Sequence, residues 1–176
     1  MIYINTIITY FGNIGHIILF LFATCLLINK YTMVYYYQIG FVTCAILNII
    51  LKGIFKYPRP SENLVEFNLA LQNGGRFVFK NGVPHDIFGM PSGHSQISMF
   101  ITTFIFLTLR NTKISLVFLL LSLIIMYQRV KDNHHTFLQV LAGAIVGIGY
   151  GYLFYYFGQQ KLMGKITAKS DDNGPL

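Results

Sequence analysis

The sequence predicts an all-α protein, a polytopic membrane bundle of about five transmembrane helices. Of its 176 residues, 54% are hydrophobic and only 11% are charged, against about 25% charged residues in an ordinary soluble domain. A soluble fold of this size would leave large apolar patches exposed to water. The low charge also excludes intrinsic disorder and a coiled coil. We therefore expect an integral, multi-pass membrane protein.

Five apolar segments account for the predicted helices, since crossing the hydrocarbon core takes about 20 apolar residues. These segments cover residues 11–28, 32–51, 95–109, 114–127 and 137–157. The third and fourth are short, so we expect them to extend into their flanks. In the fifth, Gly143, Gly147 and Gly151 recur at four-residue spacing, which predicts a face for close helix packing in lipid.

The domain organisation follows from these segments. We expect one membrane-embedded domain over residues 1–160 and a polar, disordered tail over residues 161–176. No basic region or small-residue cleavage site precedes Lys30, so we expect no cleaved signal peptide. Both cysteines, Cys25 and Cys44, lie within apolar segments and are predicted to be buried free thiols.

Three polar features interrupt the apolar pattern, at residues 52–60, 90–95 and 128–139. With five spans, all three lie on one side of the membrane, which we call the motif face. A long loop over residues 61–89 joins the first feature to the second, and the alternating pattern before Asn81-Gly82 predicts a small hairpin in it. The coincidence on one face indicates a single composite site.

The charges in these features point to an anionic ligand. The net charge is +7, but no basic run is interleaved with aromatic residues, so we expect no nucleic-acid partner. Lys52, Arg59 and Arg129 flank apolar helix ends, where an unpaired cation is costly. Each by itself is explained by snorkelling to lipid headgroups. Their convergence with histidines favours a bound phosphate.

The segment before the third helix is suited to the same ligand. Ser92 is predicted to be the N-cap, so that Gly93 and His94 fall in the first turn with free backbone N–H groups. A helix N-terminus favours anions, and glycine lets a ligand approach the backbone closely. Capping alone explains Ser92 but not the glycine or the ionisable His94 beside it.

The segment before the fifth helix supplies a candidate nucleophile. His135 and Gln139 are four residues apart and share a helical face, so the amide oxygen can accept from one ring nitrogen and leave the other free to attack. His134 and His85 are interpreted as bystanders, and His16 as a helix-packing hydrogen-bond partner. Because the histidines come with cations rather than carboxylates, we expect neither a metal nor another cofactor.

At these residues the sequence resembles a known family. Lys52 followed after six residues by Arg59-Pro60, then Pro91-Ser92-Gly93-His94, then Arg129 followed after five residues by His135 resemble the three-part signature of the type 2 phosphatidic acid phosphatase superfamily. Two positions depart from it. Gln128 stands where the family usually has Ser, and Gln139 where it usually has Asp. Gln139 and its neighbours are similar to the dolichyl-diphosphatase branch, in which Gln replaces that Asp.

The resemblance implies a metal-independent lipid phosphatase that works through a phosphohistidine. His135 would attack phosphorus, and His94 would protonate the leaving oxygen. The phosphate oxygens would be held by Lys52, Arg59, Arg129, the Ser92 hydroxyl and the Gly93 N–H, and Gln139 would orient His135. The expected substrate is a polyprenyl diphosphate of the dolichyl type. The alternatives are phosphatidate or a sphingoid phosphate and, from another class, a protein that binds lipid phosphate without hydrolysing it.

The cations outside the signature give an orientation. The motif face carries four of them and the opposite face six, namely Lys56, Arg76, Lys80 and Lys131 against Lys30, Arg110, Lys113, Lys161, Lys165 and Lys169. The positive-inside tendency then predicts a lumenal or extracytoplasmic motif face.

Overall fold

A computed structural model of the chain describes residues 2–80 and 82–160, which form six helices and one β-hairpin. In chain order the elements are α1 (Ile2–Leu27), α2 (Tyr31–Phe55), α3 (Leu64–Gln72), β1 (Phe77–Lys80), β2 (Val83–Asp86), α4 (Gly93–Leu109), α5 (Thr112–Lys131) and α6 (Phe137–Gln160). The tail predicted over residues 161–176 lies outside the described residues.

Five of these helices correspond to the five predicted segments. In the described part of the chain, α1, α2, α5 and α6 are long and apolar enough to span a membrane, with mean hydropathy of 1.7 to 1.8. Their outer faces expose large apolar side chains such as Ile49, Leu120 and Ile145, as lipid contact requires. The fifth, α4, has 17 residues and is about 25 Å long. The all-α, multi-pass membrane bundle is confirmed.

Helix α4 is the centre of the bundle and packs against α1, α2, α5 and α6. Its apolar side chains form the core with α2, as where the Phe100 and Tyr37 rings stack at 5.9 Å. Its polar side chains bond to neighbouring helices, as where the Thr102 and Ser122 hydroxyls lie 2.8 Å apart. Hydrogen bonds of this kind hold membrane helices together, because lipid supplies no hydrophobic drive for their association.

The face of α6 that was predicted to pack closely, formed by its glycine stripe, packs on the backbone of α4. A Cβ atom on Gly143, Gly147 or Gly151 would meet, respectively, the carbonyl oxygens of Ser92, Gln96 and Phe100. Each step of four residues on α6 therefore matches a step of four on α4. The two helices run in the same direction, and Ser92 at the start of α4 donates its N–H to the Gln139 oxygen in the first turn of α6 at 3.0 Å.

The segment between α2 and α4 is more ordered than the predicted loop. It contains α3 and the predicted hairpin, in which β1 and β2 pair antiparallel from Phe77 opposite Asp86 to Lys80 opposite Val83. A second small apolar cluster of Phe67, Ile87 and Phe88 packs α3 against the hairpin side of the segment. Burial of these three side chains gives the segment between α2 and α4 an apolar core of its own, which explains why it folds.

The two cysteines differ in exposure. Cys44 on α2 is buried and free, as predicted, whereas Cys25 is free but exposed. The prediction of a buried Cys25 was wrong, because it lies on a face of α1 that no other helix of the described chain covers. An apolar segment that faces lipid has the same composition as one that faces the core.

Candidate active site

Four helix ends meet at the motif face and bring the three polar features together. Lys52 lies in the last turn of α2 and Arg129 in the last turn of α5, while α4 and α6 begin there. Backbone hydrogen bonds join the connecting segments, from Ser92 N to the Gln139 oxygen at 3.0 Å and from Gly89 N to the Tyr57 oxygen at 2.7 Å.

The imidazole of His135 is buried, with 3% of its surface exposed. Its Nδ1 lies 2.8 Å from the carbonyl oxygen of Gly89 and 3.3 Å from Oε1 of Gln139. Both oxygens only accept hydrogen bonds, so Nδ1 carries the ring hydrogen. In a neutral ring the lone pair is then on Nε2, as a nucleophile requires.

The surroundings of His135 keep its ring neutral. Burial, and then the positive charges of Arg59, Lys52 and Arg129, lower its pKa from 6.5 to about 3. The same cations are attractive to a phosphate. The site therefore combines an unprotonated imidazole with a positive field, the two conditions for attack on a phosphate ester.

Gln139 also stabilises the start of α6, a role that the sequence interpretation missed. The Gln139 N–H donates to Thr136 Oγ1 at 3.2 Å, and the Thr136 N–H donates to Gln139 Oε1 at 3.1 Å. This is a capping box at the start of α6. The other end of the amide donates from Nε2 to the carbonyl oxygen of Pro58 at 2.7 Å. The Thr-x-x-Gln spacing was a readable signal of the box.

His94 lies in the first turn of α4 against helix α1. Its Nε2 is 3.3 Å from the backbone oxygen of Asn13. Its ring meets the ring of His16 edge to face, with 4.3 Å between centroids. We predicted that His16 makes a helix-packing hydrogen bond, and its buried Nδ1 makes none with the described residues. Electrostatic interactions link His94 to both Arg129 and His135.

Asp86, which the sequence interpretation missed, gathers three of the cations. Its carboxylate lies 3.1 Å from Lys52 Nζ and 3.1 Å from Arg76 Nη2. Its backbone oxygen accepts from Arg59 Nε at 2.9 Å. The chain has only six acidic residues, and this scarcity was the sequence signal that could have identified Asp86 as a partner of the cations. Asp86, at the end of β2, therefore helps to position both Lys52 at the end of α2 and Arg59 in the segment that follows it.

The same contacts set the ionisation of this cluster. Burial acts to raise the pKa of Asp86, but the Arg76 hydrogen bond, the Lys52 charge and the Phe88 N–H outweigh it and lower the pKa. Burial lowers the pKa of Arg59, although a guanidinium stays protonated near neutral pH. The cluster is thus an ionised carboxylate surrounded by cations.

Arg129 has a buried hydrogen-bond donor that no residue of the described chain satisfies. Its side chain is buried, and its Nη1 donates to Asn13 Oδ1 at 3.0 Å. Its Nε is buried and has no hydrogen-bond partner in the described chain. An unsatisfied buried donor costs about 1–3 kcal/mol, a cost that an anion accepting from the guanidinium would remove.

Ser92 and Gly93 begin α4 as predicted, with Ser92 in the N-cap conformation and fully buried. Its hydroxyl makes no capping bond and lies 3.1 Å from Ser95 Oγ instead. A Cβ atom on Gly93 would lie 3.0 Å from Asn48 Oδ1, so α2 approaches the backbone closely here. Asn48 is held by Gln96 Oε1 at 2.9 Å.

The predicted bystanders lie at the edge of the site. His85 is 3.4 Å from Glu62, in the hairpin segment. Burial, and then the charge of Arg129, lower the pKa of His134. No His, Cys, Asp or Glu cluster suited to a metal is present in residues 2–80 and 82–160.

A cavity of about 790 Å³ adjoins these residues. Phe55, Leu64, Met90 and Leu138 contribute to its apolar lining, and Arg59, Glu62, Thr136 and Gln139 to its polar lining. An apolar space beside cationic and polar side chains is suited to an amphiphile.

Comparison with known proteins agrees with this chemistry. The PAP2 superfamily profile matches residues 31–163. The dolichyldiphosphatase of Saccharomyces cerevisiae is 27% identical over 164 residues, covering 88% of this chain and 64% of that protein. A probable sphingosine-1-phosphate phosphatase of Dictyostelium discoideum is 31% identical over 123 residues, covering 63% of this chain and 29% of that protein. The chain thus spans less than two thirds of either relative. No solved structure matches the chain significantly.

Proposed function

The chain belongs to the PAP2 superfamily, and on that premise we propose that it is a membrane lipid phosphatase acting on a polyprenyl diphosphate of the dolichyl type. The reaction releases the terminal phosphate and leaves the lipid monophosphate. The observation that carries the proposal is His135, whose Nδ1 bonds to the Gly89 carbonyl while the charges of three cations act on the ring.

In the first step His135 Nε2 attacks the terminal phosphorus. The N–P bond forms as the bond from phosphorus to the bridging oxygen breaks, and His94 gives its proton to that oxygen. The lipid monophosphate then leaves. The Gly89 carbonyl stabilises the positive charge that develops on the His135 ring, together with the weaker contact from Gln139.

In the second step water attacks the phosphohistidine. His94 takes a proton from the water as the new P–O bond forms and the N–P bond breaks. Inorganic phosphate leaves, and both histidines return to their starting states. An acid–base histidine of this kind contributes about 10²–10⁴-fold to the rate.

The remaining roles are electrostatic. Lys52, Arg59 and Arg129, with the Ser92 hydroxyl and the Gly93 N–H, hold the phosphate oxygens in the transition state. Phosphoryl transfer needs little beyond positioning and charge stabilisation, so the mechanism requires no metal.

The cavity supports an amphiphilic substrate. Its apolar lining between α2, α3 and α6 would receive the first part of the hydrocarbon chain, with the phosphates at Arg59. The name of the yeast relative favours an isoprenoid diphosphate. The name of the Dictyostelium relative favours a sphingoid phosphate, which is the second candidate.

The test is phosphate release by the detergent-purified chain in EDTA. Dolichyl diphosphate, phosphatidate and sphingosine-1-phosphate would be compared. We expect release from the diphosphate, none from His135→Ala, and normal rates from the matched variant His134→Ala. Acid-labile phosphate on the wild-type chain, absent from His135→Ala, would identify the intermediate.

Each other outcome has a defined meaning. Preference for a monoester would retain the mechanism and reject the diphosphate. Binding of all three lipids without turnover would reject catalysis in favour of a lipid-phosphate-binding protein. Full activity of His135→Ala would reject the assignment of the nucleophile.

We further propose a lumenal or extracytoplasmic motif face. Val83→Thr creates a glycosylation acceptor at Asn81 on this face, and Lys113→Ser creates one at Asn111 on the other. In microsomes we expect modification of the first variant only. Modification of the second alone would reverse the orientation.

A further inference from the structure

Helix α1 carries a polar stripe that composition alone does not explain. Asn5, Thr9, Asn13 and His16 follow one another at spacings of four, four and three residues, so they lie on one helical face. The mean hydropathy of the span is 1.8. Polar side chains within a membrane helix are costly unless they find partners. In this stripe Asn5 and Asn13 are exposed and Thr9 and His16 are half-buried.

The stripe is docked on the C-terminal end of α5. Lys131 Nζ donates to Asn5 Oδ1 at 2.8 Å, and Thr9 Oγ1 donates to Asp132 Oδ2 at 3.0 Å. Gly12 allows this close approach, because a Cβ atom there would meet the side chain of Gln128. The two helices are therefore locked in one register.

In that register α1 contacts two of the three candidate catalytic groups, Arg129 and His94. The side chain of Asn13 accepts from Arg129 Nη1 at 3.0 Å, and its backbone oxygen lies 3.3 Å from His94 Nε2. The ring of His16 packs against the ring of His94, with 4.3 Å between centroids. One helical turn thus restrains the phosphate-binding guanidinium and the acid.

We propose that α1 is a working part of the active site, with Asn13 as a positioning residue for Arg129 and His16 as a positioning residue for His94. The inference rests on the proposed function. The superfamily profile begins at residue 31, so the family match itself gives α1 no role.

The physical basis is restraint of groups that must be aimed before the reaction begins. Asn13 accepts from one terminal nitrogen of Arg129 and so restrains the guanidinium at that end, while Nε is without a partner in the described chain. His16 closes one side of His94, so the acid ring does not turn away from the leaving oxygen. Misplacement by about 1 Å can cost about 10²-fold in rate.

The experiment separates the two residues kinetically. Asn13→Ala should raise KM for the lipid diphosphate about 10-fold and weaken inorganic phosphate binding equally, because one hydrogen bond that aligns a charged group is lost. His16→Ala should lower kcat about 10-fold and leave KM and phosphate affinity unchanged. His16→Phe, which keeps the ring contact, should recover most of kcat.

The matched control is Ile17→Ala, next to His16 and about half exposed on the outer face of α1. It should match wild type within twofold. The proposal is overturned if Asn13→Ala and His16→Ala also match wild type within twofold in KM, kcat and phosphate affinity. It is also overturned if both merely lower the fraction of folded protein, with KM, phosphate affinity and the rate per folded molecule unchanged.

Failure of the proposed function gives a different result. If the wild-type chain hydrolyses none of the lipids but Asn13→Ala still weakens inorganic phosphate binding, the phosphatase assignment fails while the role of Asn13 toward Arg129 stands. Unchanged phosphate binding in that case would reject both.

Discussion

His135 is held by the backbone of Gly89, with 2.8 Å between Nδ1 and the carbonyl oxygen. The acceptor expected from the sequence, Gln139 Oε1, is farther away at 3.3 Å and is shared with the Thr136 N–H. A backbone carbonyl thus does most of the orienting that a carboxylate does in the usual family pattern. This relationship makes Gln at position 139 compatible with the proposed role of His135 as the nucleophile.

Loss of the Gln139 side chain should therefore lower the phosphatase activity without abolishing it. We expect Gln139→Ala to lower kcat about 10-fold, while Gly89 keeps the ring tautomer. Loss of the hydrogen bond from the Thr136 N–H to Gln139 Oε1, one half of the capping box, should also lower the free energy of unfolding by about 1 kcal/mol. Steady-state kinetics and thermal melting in detergent measure the two effects.

The control for Gln139→Ala is Gln38→Ala, which removes a hydrogen bond to Thr24 far along α2 from the motif face. It should leave kcat unchanged. If Gln139→Ala is as inactive as His135→Ala, the Gly89 carbonyl does not hold the tautomer by itself, and Gln139 Oε1 is the acceptor that His135 Nδ1 requires.

The lowered pKa of His135 should be visible as a ring that stays neutral in mild acid. With a pKa of about 3, Nε2 stays unprotonated from pH 8 to pH 5, whereas an ordinary histidine titrates near 6.5. Long-range ¹H–¹⁵N spectra of histidine-labelled protein, assigned by loss of the signal in His135→Gln, measure this directly. Titration near pH 6.5 would contradict the buried neutral ring.

The same shift has a consequence for stability with a defined sign. Below pH 6.5 the unfolded chain takes up a proton on His135 that the folded chain refuses. The contribution of His135 to the free energy of unfolding therefore falls as the pH drops from 6.5 towards 3. Acid melting of wild type against His135→Gln should show the smaller pH dependence in the variant.

The sequence predicted the bundle because membrane spans are defined by local composition. The glycine spacing on α6 predicted a face for close helix packing, but not that α4 packs on it. The sequence predicted the signature residues because each occurs at a recognisable helix end. It did not predict Asp86, Gly89 or Asn13, since these act through pairings across 34 to 116 positions of the chain. A backbone carbonyl such as that of Gly89 has no residue-type signal at all.

Asp86 makes a testable contribution because it balances Lys52 and Arg76 when no phosphate is bound. We expect Asp86→Asn to lower the free energy of unfolding by about 2 kcal/mol, through loss of its hydrogen bonds to charged groups. Inorganic phosphate should then raise the melting temperature of the variant more than that of wild type, because the anion replaces the missing charge. Glu66→Gln, an exposed acid on α3, is the control. Equal phosphate stabilisation of wild type and Asp86→Asn would show that Asp86 and phosphate do not share the cations.

The glycines of α6 allow a sharper test of how the fold positions the site. A Cβ atom on Gly147 would meet the backbone of Gln96, whereas one on Gly149 would find open space. Gly147→Ala should therefore push α6 from α4, separate His135 from His94 and reduce kcat at least 10-fold.

Gly149→Ala should keep full activity and gain up to about 1 kcal/mol of stability, since alanine is the better helix former. Activity and melting of the two variants measured side by side decide the point, because helix propensity changes equally in both. If Gly147→Ala retains the activity of Gly149→Ala, the close α4–α6 contact is not what aligns the two histidines.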